Sequence, residues 1–282
     1  MTQPTLLYAY AVAAIPEGGD APARSLRDVS GIDDGAVSLV HGDAGGDPPR
    51  MAMLVSPVDA AVYSPGEVES RVGQLKWLAP RAEAHDRVVT AAADVLPVIP
   101  LPIFSLFRDA GAVSAALAER REELRRVFER LRGAREYTVR LYRDDPALAA
   151  ALATLSPRVK ELEDSASRAS PGQRYLLQRK LEDERRAELR RVSAEIAGAT
   201  FDSLAPLARA AVREPLPALA TADAGSDAAT RPAILNASFL VEDERLGNFR
   251  RELSAIIAER EPTGIRVEFT GPWPAYHFAR DV

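Results

Sequence analysis

No cysteine occurs anywhere in the 282 residues of this chain. Disulfide bonds, thiolate nucleophiles and cysteine-ligated zinc or iron–sulfur sites are therefore excluded. Histidine is nearly as scarce, with three copies at His41, His85 and His277. They fall in a loop, a predicted helix and the C-terminal tail, without the spacing of metal ligands, so we predict surface or packing roles for them. The sequence accordingly predicts neither a metal nor any other cofactor.

Lysine is scarce as well, since only Lys76, Lys160 and Lys180 stand among 36 basic residues. The net charge is −5, and the arginine runs alternate with glutamate, as in "ERREELRRVFERLR". At helical spacing such runs form pairs of opposite charge on a solvated face. A nucleic-acid-binding protein usually presents a basic face instead. We therefore predict no nucleic-acid partner.

Long apolar runs are also missing. No stretch approaches the roughly 20 apolar residues of a membrane span. The N-terminal "MTQPTLLYAYAVAAIPEGG" lacks a basic segment before its short apolar run, which is not typical of a signal peptide. From these features we expect a cytoplasmic protein that does not bind a lipid membrane.

Familiar catalytic motifs are absent too. The strings HExxH, GxSxG, GxxxxGK[ST] and GxGxxG do not occur. The adjacent carboxylates Asp33–Asp34 and Asp144–Asp145 stand at predicted turns, where Asp is favoured for bonding to the backbone. The sequence therefore predicts a protein that is not an enzyme and has no catalytic residues.

Residues 1–132 contain strands and helices of their own. Leu6–Val12 reads as a strand, and Ala36–Val40 with Met51–Val55 reads as a hairpin around a Gly/Pro-rich loop. Ser64, Pro65 and Glu67 form a helix-start signature with a capping box, and Asp109 begins a helix predicted to end at Gly133. Val95–Phe107 contains three prolines, which exclude a regular helix and a central strand and predict an edge or a buried loop.

From Gly133 the period changes. Glu136–Tyr142 alternates polar and apolar residues, as a half-buried strand does. A helical region follows from Pro146 to about Val212, then two strands are predicted, a helix, and a last strand. The order β-α-β-β-α-β is the ferredoxin-like pattern with an antiparallel sheet. We predict an α+β fold of two domains, 1–132 and 133–282, with the ferredoxin-like domain second. The three later strands are Pro215–Thr221, Ala233–Val241 and Ile265–Phe269.

Several segments taken in order carry a family resemblance. They are "TLLYAYAVA" at the start, "KWLAPRAEAHDRVVTAAADVLPVIPLPIFSLF", "LRGAREYTVRLY", "PGQRYLLQRK", "ILNASFLVED" and the tail "TGPWPAYHF". The chain resembles the gas vesicle protein F/L family (GvpF/GvpL) from residue 5 to residue 280. It departs from the family pattern at Pro274–Ala275, where Pro-Pro is usual, and in "IPLPIFSLF", which lacks the usual Phe-Gly pair. The residues that carry the resemblance are Trp77, His85, Leu96, Pro97, Phe104, Phe107, Gly133, Glu136, Tyr137, Gly172, Tyr175 and Leu176.

The resemblance implies a non-enzymatic accessory protein of gas vesicle assembly. It implies two α+β domains, the second ferredoxin-like, and as partners the small hydrophobic shell protein and other accessory proteins. We assign the contact to an apolar surface or sheet edge of the N-terminal domain. The alternatives are a regulatory module whose ferredoxin-like half senses a small ligand, and an enzyme of unknown type. The candidate contact residues are Trp77, Ile99, Leu101, Ile103 and Phe104.

The tail "TGPWPAYHFARD" is rich in aromatic residues, although these make up only 6% of the chain. It follows the last predicted strand, and its glycine and prolines end that strand. We therefore predict that Trp273, Tyr276 and Phe278 have a structural role and fold back over the rest of the protein.

Overall fold

The computed structural model describes residues 5–16, 25–26, 28–42, 50–216 and 231–279. Contacts between Cα atoms divide the chain into two compact units. The first unit is Met1–Gly133 together with Trp273–Val282, and the second unit is Ala134–Pro272. The division predicted from the sequence differs from this grouping at the C-terminus, because it put the tail in the second domain.

The first unit contains a four-stranded antiparallel sheet in the order β2-β3-β1-β4. β2 and β3 form the predicted hairpin, in which Ser38 lies opposite Val55. β4 is an edge strand, which is one of the two alternatives that the three prolines of Val95–Phe107 predicted, since Pro cannot donate to a ladder. The strands are β1 (Thr5–Ile15), β2 (Ser38–His41), β3 (Arg50–Asp59) and β4 (Val98–Phe107).

Helices pack on both faces of this sheet. Apolar residues of α1 and α3 are buried against one face of the sheet, and apolar residues of α4 and α5 are buried against the other. β1 is accordingly buried along most of its length on both sides. The helices are α1 (Ala60–Tyr63), α2 (Pro65–Arg71), α3 (Leu75–Val95), α4 (Ala110–Glu119) and α5 (Arg121–Leu131).

Three details of these helices differ from the sequence-based prediction. The predicted single helix after Asp109 is two helices, which meet at Arg120 with φ −98° and ψ 12°. Ser64 does precede α2, but its side chain makes no capping bond, and Glu67 pairs with Arg71 at 2.6 Å instead. The sequence predicts an interruption at Pro80, because proline disrupts a helix interior, but α3 continues through it.

The second unit has the predicted β-α-β-β-α-β order and a sheet arranged β6-β7-β5-β8. The first and third strands are central, which is the ferredoxin-like arrangement. β7 pairs antiparallel with both β5 and β6. The elements are β5 (Ala134–Arg143), α6 (Asp145–Leu155), α7 (Pro157–Arg168), α8 (Pro171–Leu204), β6 (Ala210–Arg213), β7 (Ala233–Glu242), α9 (Leu246–Arg260) and β8 (Ile265–Trp273).

One strand of this sheet lies earlier than predicted. β6 is Ala210–Arg213, which the sequence reading had placed largely at the end of the helical region. The sequence predicts a strand at Pro215–Thr221. Pro215 and Leu216 are not part of a strand, and residues 217–221 lie outside the described residues. The alternation in β5 is as predicted, because Tyr137, Val139 and Leu141 belong to the apolar core against the helices.

Candidate protein-binding surface

Two of the five predicted contact residues lie in the core of the first unit. Ile99 is fully buried and Leu101 nearly so, in the cluster that α4 and α5 form with the sheet. The reason is that β4 is an edge strand only in its hydrogen bonding, while helices cover both faces of the sheet. In this conformation neither side chain offers an apolar surface to a partner.

The other three, Trp77, Ile103 and Phe104, are half-buried and pack on the opposite face of the sheet. They surround a large bulge in β4. Ala9 pairs with Ser105 and Ala11 with Pro100, so four residues of β4 lie opposite Tyr10 alone. Phe104 ends the bulge with φ 65°, in the left-handed region that non-glycine residues seldom adopt. The bulge turns the side chain of Phe104 toward Trp77, with which its ring stacks.

A buried polar pair holds this bulge. The N–H of Phe104 donates to Tyr8 Oη at 3.0 Å, and Tyr8 Oη donates to His85 Nδ1 at 2.8 Å. The ring of His85 donates in turn to the backbone of Leu101. Burial lowers the pKa of His85 to about 4, so the ring is neutral at pH 7 and Nδ1 can accept. Both ends of the bulge are thus tied to α3 and β1.

An aromatic cluster lies next to the bulge. The rings of Trp77 and Phe104 stack with centroids 5.3 Å apart and planes 23° apart, and Tyr63 packs 6.2 Å from Trp77. The guanidinium of Arg81 lies 4.5 Å from the Trp77 centroid, within the range of a cation–π contact. Arg81 also donates to Tyr63 Oη at 2.7 Å and pairs with Asp33 at 3.0 Å. The cluster is therefore fixed by both packing and charge.

Tyr63 completes this arrangement. Its hydroxyl donates to Asp33 Oδ2 at 2.7 Å. Burial, strengthened by the hydrogen bond to Asp33, raises the pKa of Tyr63 above its ordinary value, so the hydroxyl stays protonated. Asp33 accepts from both Tyr63 and Arg81 while adopting φ 49°, a conformation that Asp tolerates better than most residues. These groups position an aromatic surface, and none is arranged as a nucleophile beside a base.

Trp77 has an unsatisfied hydrogen-bond donor. Its Nε1 is buried and finds no acceptor in the part of the chain that the structure describes. Buried polar groups without a partner are rare in proteins because each carries a desolvation penalty. Two apolar side chains near it in sequence are exposed, Leu75 at 74% and Val72 at 43%. We define these three residues, with Ile103 and Phe104, as the Trp77 surface.

Sequence reasoning did not assign Tyr8, Asp33, Arg81 or Leu75 to this region. A tyrosine inside the apolar run "LLYAYAVAAI" is the one signal for Tyr8, because a buried Tyr hydroxyl normally needs a partner. His85 fits the packing role predicted for it, since it is buried and bonded to Tyr8. Asp33 and Arg81 are 48 residues apart, and nothing in the sequence alone indicates that they pair.

The C-terminal tail contacts the first unit. Tyr276 Oη donates to Asp86 Oδ1 at 3.0 Å, and Arg130 donates to the backbone carbonyl of Phe278. Phe278 is buried at 9% exposure, whereas Trp273 is 44% exposed. Tyr276 and Phe278 therefore pack as parts of the first unit, and Trp273 leaves much of its ring at the surface.

The described residues contain no group of three or more His, Cys, Asp or Glu residues placed to hold a metal ion. Within the same residues, every helix is too short or too polar to cross a bilayer.

Known proteins similar to this chain share one family. The family model described as gas vesicle synthesis protein GvpL/GvpF matches residues 6–280. Gas vesicle protein L from Streptomyces sp. (strain CB03234) is 29% identical over 290 aligned residues, which cover 99% of this chain and 94% of that protein. Gas vesicle protein L2 from Halobacterium salinarum is 28% identical, with 96% of this chain and 91% of that protein covered.

Two solved structures share the fold. The crystal structure of gas vesicle protein GvpF from Anabaena sp. PCC7120 superposes with a TM-score of 0.62 at 21% identity and covers 98% of each chain. GvpF from Microcystis aeruginosa superposes with a TM-score of 0.59 at 18% identity, covering 97% of this chain and 98% of that one. With the match of the family model over nearly the whole sequence, the chain belongs to the gas vesicle synthesis protein GvpL/GvpF family.

Proposed function

We propose that this protein is a non-enzymatic accessory factor of gas vesicle assembly in the cytoplasm. It binds the small hydrophobic shell protein, alone or with other accessory proteins, through the Trp77 surface of its first unit. Membership of the GvpL/GvpF family supports the association with gas vesicles. The Trp77 surface supports the binding role, because aromatic side chains with exposed apolar neighbours are typical anchors of protein interfaces.

The observation that carries this proposal is an exposed apolar side chain close in sequence to a half-buried aromatic stack. Leu75 is 74% exposed at the start of α3, and the rings of Trp77 and Phe104 stack with centroids 5.3 Å apart. An apolar segment of a partner would cover Leu75 and the accessible part of this stack. A small hydrophobic shell subunit before polymerisation has such a segment to offer, since its apolar surface is not yet buried.

Side chains rather than strand addition make this contact. β4 is the open edge of the sheet beside the Trp77 surface, but Pro100 and Pro102 interrupt its row of donors. Proline on an edge strand is a common way to prevent pairing with another chain. A partner strand would therefore meet an incomplete ladder at β4, and the aromatic and aliphatic groups of α3 and the bulge provide the contact.

Co-purification of the intact chain with the shell protein tests the proposal. Leu75→Glu places a charge in the contact, and we expect it to lower the amount of retained shell protein about tenfold or more. Val95→Glu is the matched control, since Val95 is an exposed apolar residue at the other end of the same helix, and it should bind as the wild type does. Both variants should keep the wild-type melting temperature.

Three results would contradict the proposal. Failure of the wild-type chain to retain the shell protein would remove the binding role itself. Equal retention by Leu75→Glu and the wild type would remove the Trp77 surface as the contact. Loss of binding in Val95→Glu as well would show that the effect is not specific to that surface.

A further inference from the structure

A cavity in the second unit is lined mainly by arginine. It has a volume of about 350 Å³ and lies between the end of β5, α6 and α8. This volume falls within the range of roughly 300–1,000 Å³ that small-molecule sites occupy. Four arginines and one aspartate supply all of its charged lining, so positive charge exceeds negative by three. The charged residues are Arg143, Asp145, Arg185, Arg186 and Arg190.

Two of these arginines are neutralised by the protein. Arg143 Nε lies 2.6 Å from Asp145 Oδ1, and Arg185 Nη2 lies 2.6 Å from Glu163 Oε1. Both are direct ion pairs, so they contribute little net charge to the cavity. They still shape the cavity, because each guanidinium is held in place by its carboxylate.

The other two arginines are not balanced. Arg186 approaches Asp183 only at 3.9 Å, and both side chains are about 70% exposed, so this pair contributes little. Arg190 makes no hydrogen bond or ion pair within the described part of the chain. About two positive charges therefore remain in the cavity without a close internal counter-charge. A phosphate monoester carries about −1.5 to −2 charges at pH 7, and its oxygens match the fork of a guanidinium.

The remaining lining of the cavity is apolar. Ala149 and Leu152 stand three residues apart on α6, and Leu189 lies on α8 between Arg186 and Arg190. One wall can therefore bind an organic group while the arginines bind an anion. We propose that this cavity is a site for a phosphate group on a small organic molecule, with Arg186 and Arg190 at the phosphate. The site lies in the second unit and does not depend on the proposed function of the Trp77 surface.

Calorimetric titration and thermal shift of the full chain test this site. The probes are AMP, inorganic phosphate and adenosine, at one fixed ionic strength because salt screens exposed arginines. We expect AMP to bind and to raise the melting temperature as its concentration rises, and adenosine to do neither. If AMP binds more tightly than inorganic phosphate, the ligand is a phosphorylated organic molecule. If the two bind equally, the ligand is free phosphate.

Two matched variants locate the binding. Arg190→Gln should weaken AMP binding about tenfold, because it removes a charged hydrogen-bond donor at the phosphate. Arg179→Gln should change it less than twofold, since Arg179 is exposed on the same helix but does not line the cavity. The proposal is overturned if neither AMP nor phosphate binds at 10 mM, a probe concentration about tenfold above a weak millimolar Kd. It is also overturned if adenosine binds as AMP does, or if the two variants weaken binding equally.

Discussion

The two sheets of this protein have the same strand order but differ in how their faces are covered. Numbered within its own unit, each sheet places its strands in the order second, third, first, fourth. In the first unit, helices bury apolar clusters on both faces of the sheet. In the second unit, the described residues form one apolar cluster, between the sheet and its helices. One topology therefore carries apolar clusters on both faces of the sheet in the first unit and on one face in the second.

This difference is visible in the strand of each sheet that comes first in the sequence, β1 and β5. β1 reads "TLLYAYAVAAI" and has apolar residues buried on both sides, whereas β5 reads "AREYTVRLYR" and places Tyr137, Val139 and Leu141 in the apolar cluster. Its polar residues Glu136 and Thr138 lie on the opposite face and are also buried. A strand with apolar clusters on both faces needs a continuous apolar run, and a strand with one such cluster needs a period of two. The pattern of a strand therefore reports how many of its faces carry an apolar cluster and says little about its neighbours in the sheet.

The largest expected effect comes from a charge on either face of β1. Val12 and Ala13 point to opposite faces, and both are buried. Val12→Asp and Ala13→Asp should each destabilise the protein by about 4 kcal/mol or more, since either carboxylate is buried without a partner. In β5, Val139 lies fully buried in the apolar cluster, so Val139→Asp should have a similar effect. Soluble yield and urea unfolding measure all three, and a stable Ala13→Asp would contradict the apolar clusters on both faces of the first sheet.

The next effect concerns the tail, which belongs to the first unit although it follows the second in sequence. Phe278→Ala removes a buried ring and should cost about 3 kcal/mol. Trp273→Ala is the control, because Trp273 is 44% exposed and should cost about 1 kcal/mol or less. Hydrogen exchange resolved by peptide should show faster exchange in the first unit of Phe278→Ala. Faster exchange confined to residues 134–272 would contradict the grouping of the tail.

Local signals in the sequence predicted much of this architecture. The alternation around Val139 predicted a strand there, and the prolines of β4 predicted its place at an edge as one of two alternatives. Asp109 predicted the start of α4, where its carboxylate accepts from Ala112 N–H. Those predictions needed no knowledge of distant residues. Three of the four strands in the order β-α-β-β-α-β followed from the same local periods, and with them the fold of the second unit.

Features that depend on distant contacts were not predictable in this way. The burial of Ile99 requires helices on both faces of the sheet, which its own segment does not indicate. β6, with the sequence "AAVR", is a strand only because β7 pairs with it. The bulge before Phe104 is held by Tyr8, 96 residues away. Candidate contact residues chosen from the family resemblance and the apolar proline segment therefore included both fully buried and half-buried positions.

A pH titration separates the two units by a smaller effect. The three histidines all lie in the first unit, and burial lowers the pKa of His85 from 6.5 to about 4. Between these values the unfolded state binds the proton and the folded state does not, so stability falls as the pH drops from 6.5 to 4. The rings of Tyr8 and Tyr10 face His85, and burial raises the pKa of both, so neither titrates in this window.

The expected loss in the first unit is about 2–3 kcal/mol across that range. In the second unit, hydrogen bonds from Arg191 and Ser156 lower the pKa of Glu188 to about 2. The stability that Glu188 contributes is present above pH 4.5 and is lost only as the pH falls toward 2. Urea unfolding at a series of pH values, followed by hydrogen exchange in each unit, should show that the two units lose stability in separate pH ranges. His85→Gln should remove the pH dependence of the unfolding free energy between pH 6.5 and 4 and leave the dependence at lower pH unchanged. If the slope between pH 6.5 and 4 is the same in this variant as in the wild type, His85 is excluded as its cause.

The smallest expected effect lies on the polar face of the second sheet. Arg140 Nη1 lies 3.8 Å from Glu268 Oε2, and both side chains are about 40% exposed. Such a pair is screened by water and salt, so Arg140→Gln should cost about 0.5 kcal/mol and Glu268→Gln no more than about 1 kcal/mol. Gln at 268 keeps an acceptor for Tyr142 Oη, which donates to Glu268 at 3.0 Å. Urea midpoints at low and high salt measure both variants. A loss above about 2 kcal/mol in either would show that this face is as dependent on its contacts as the doubly covered sheet, because surface pairs seldom contribute that much.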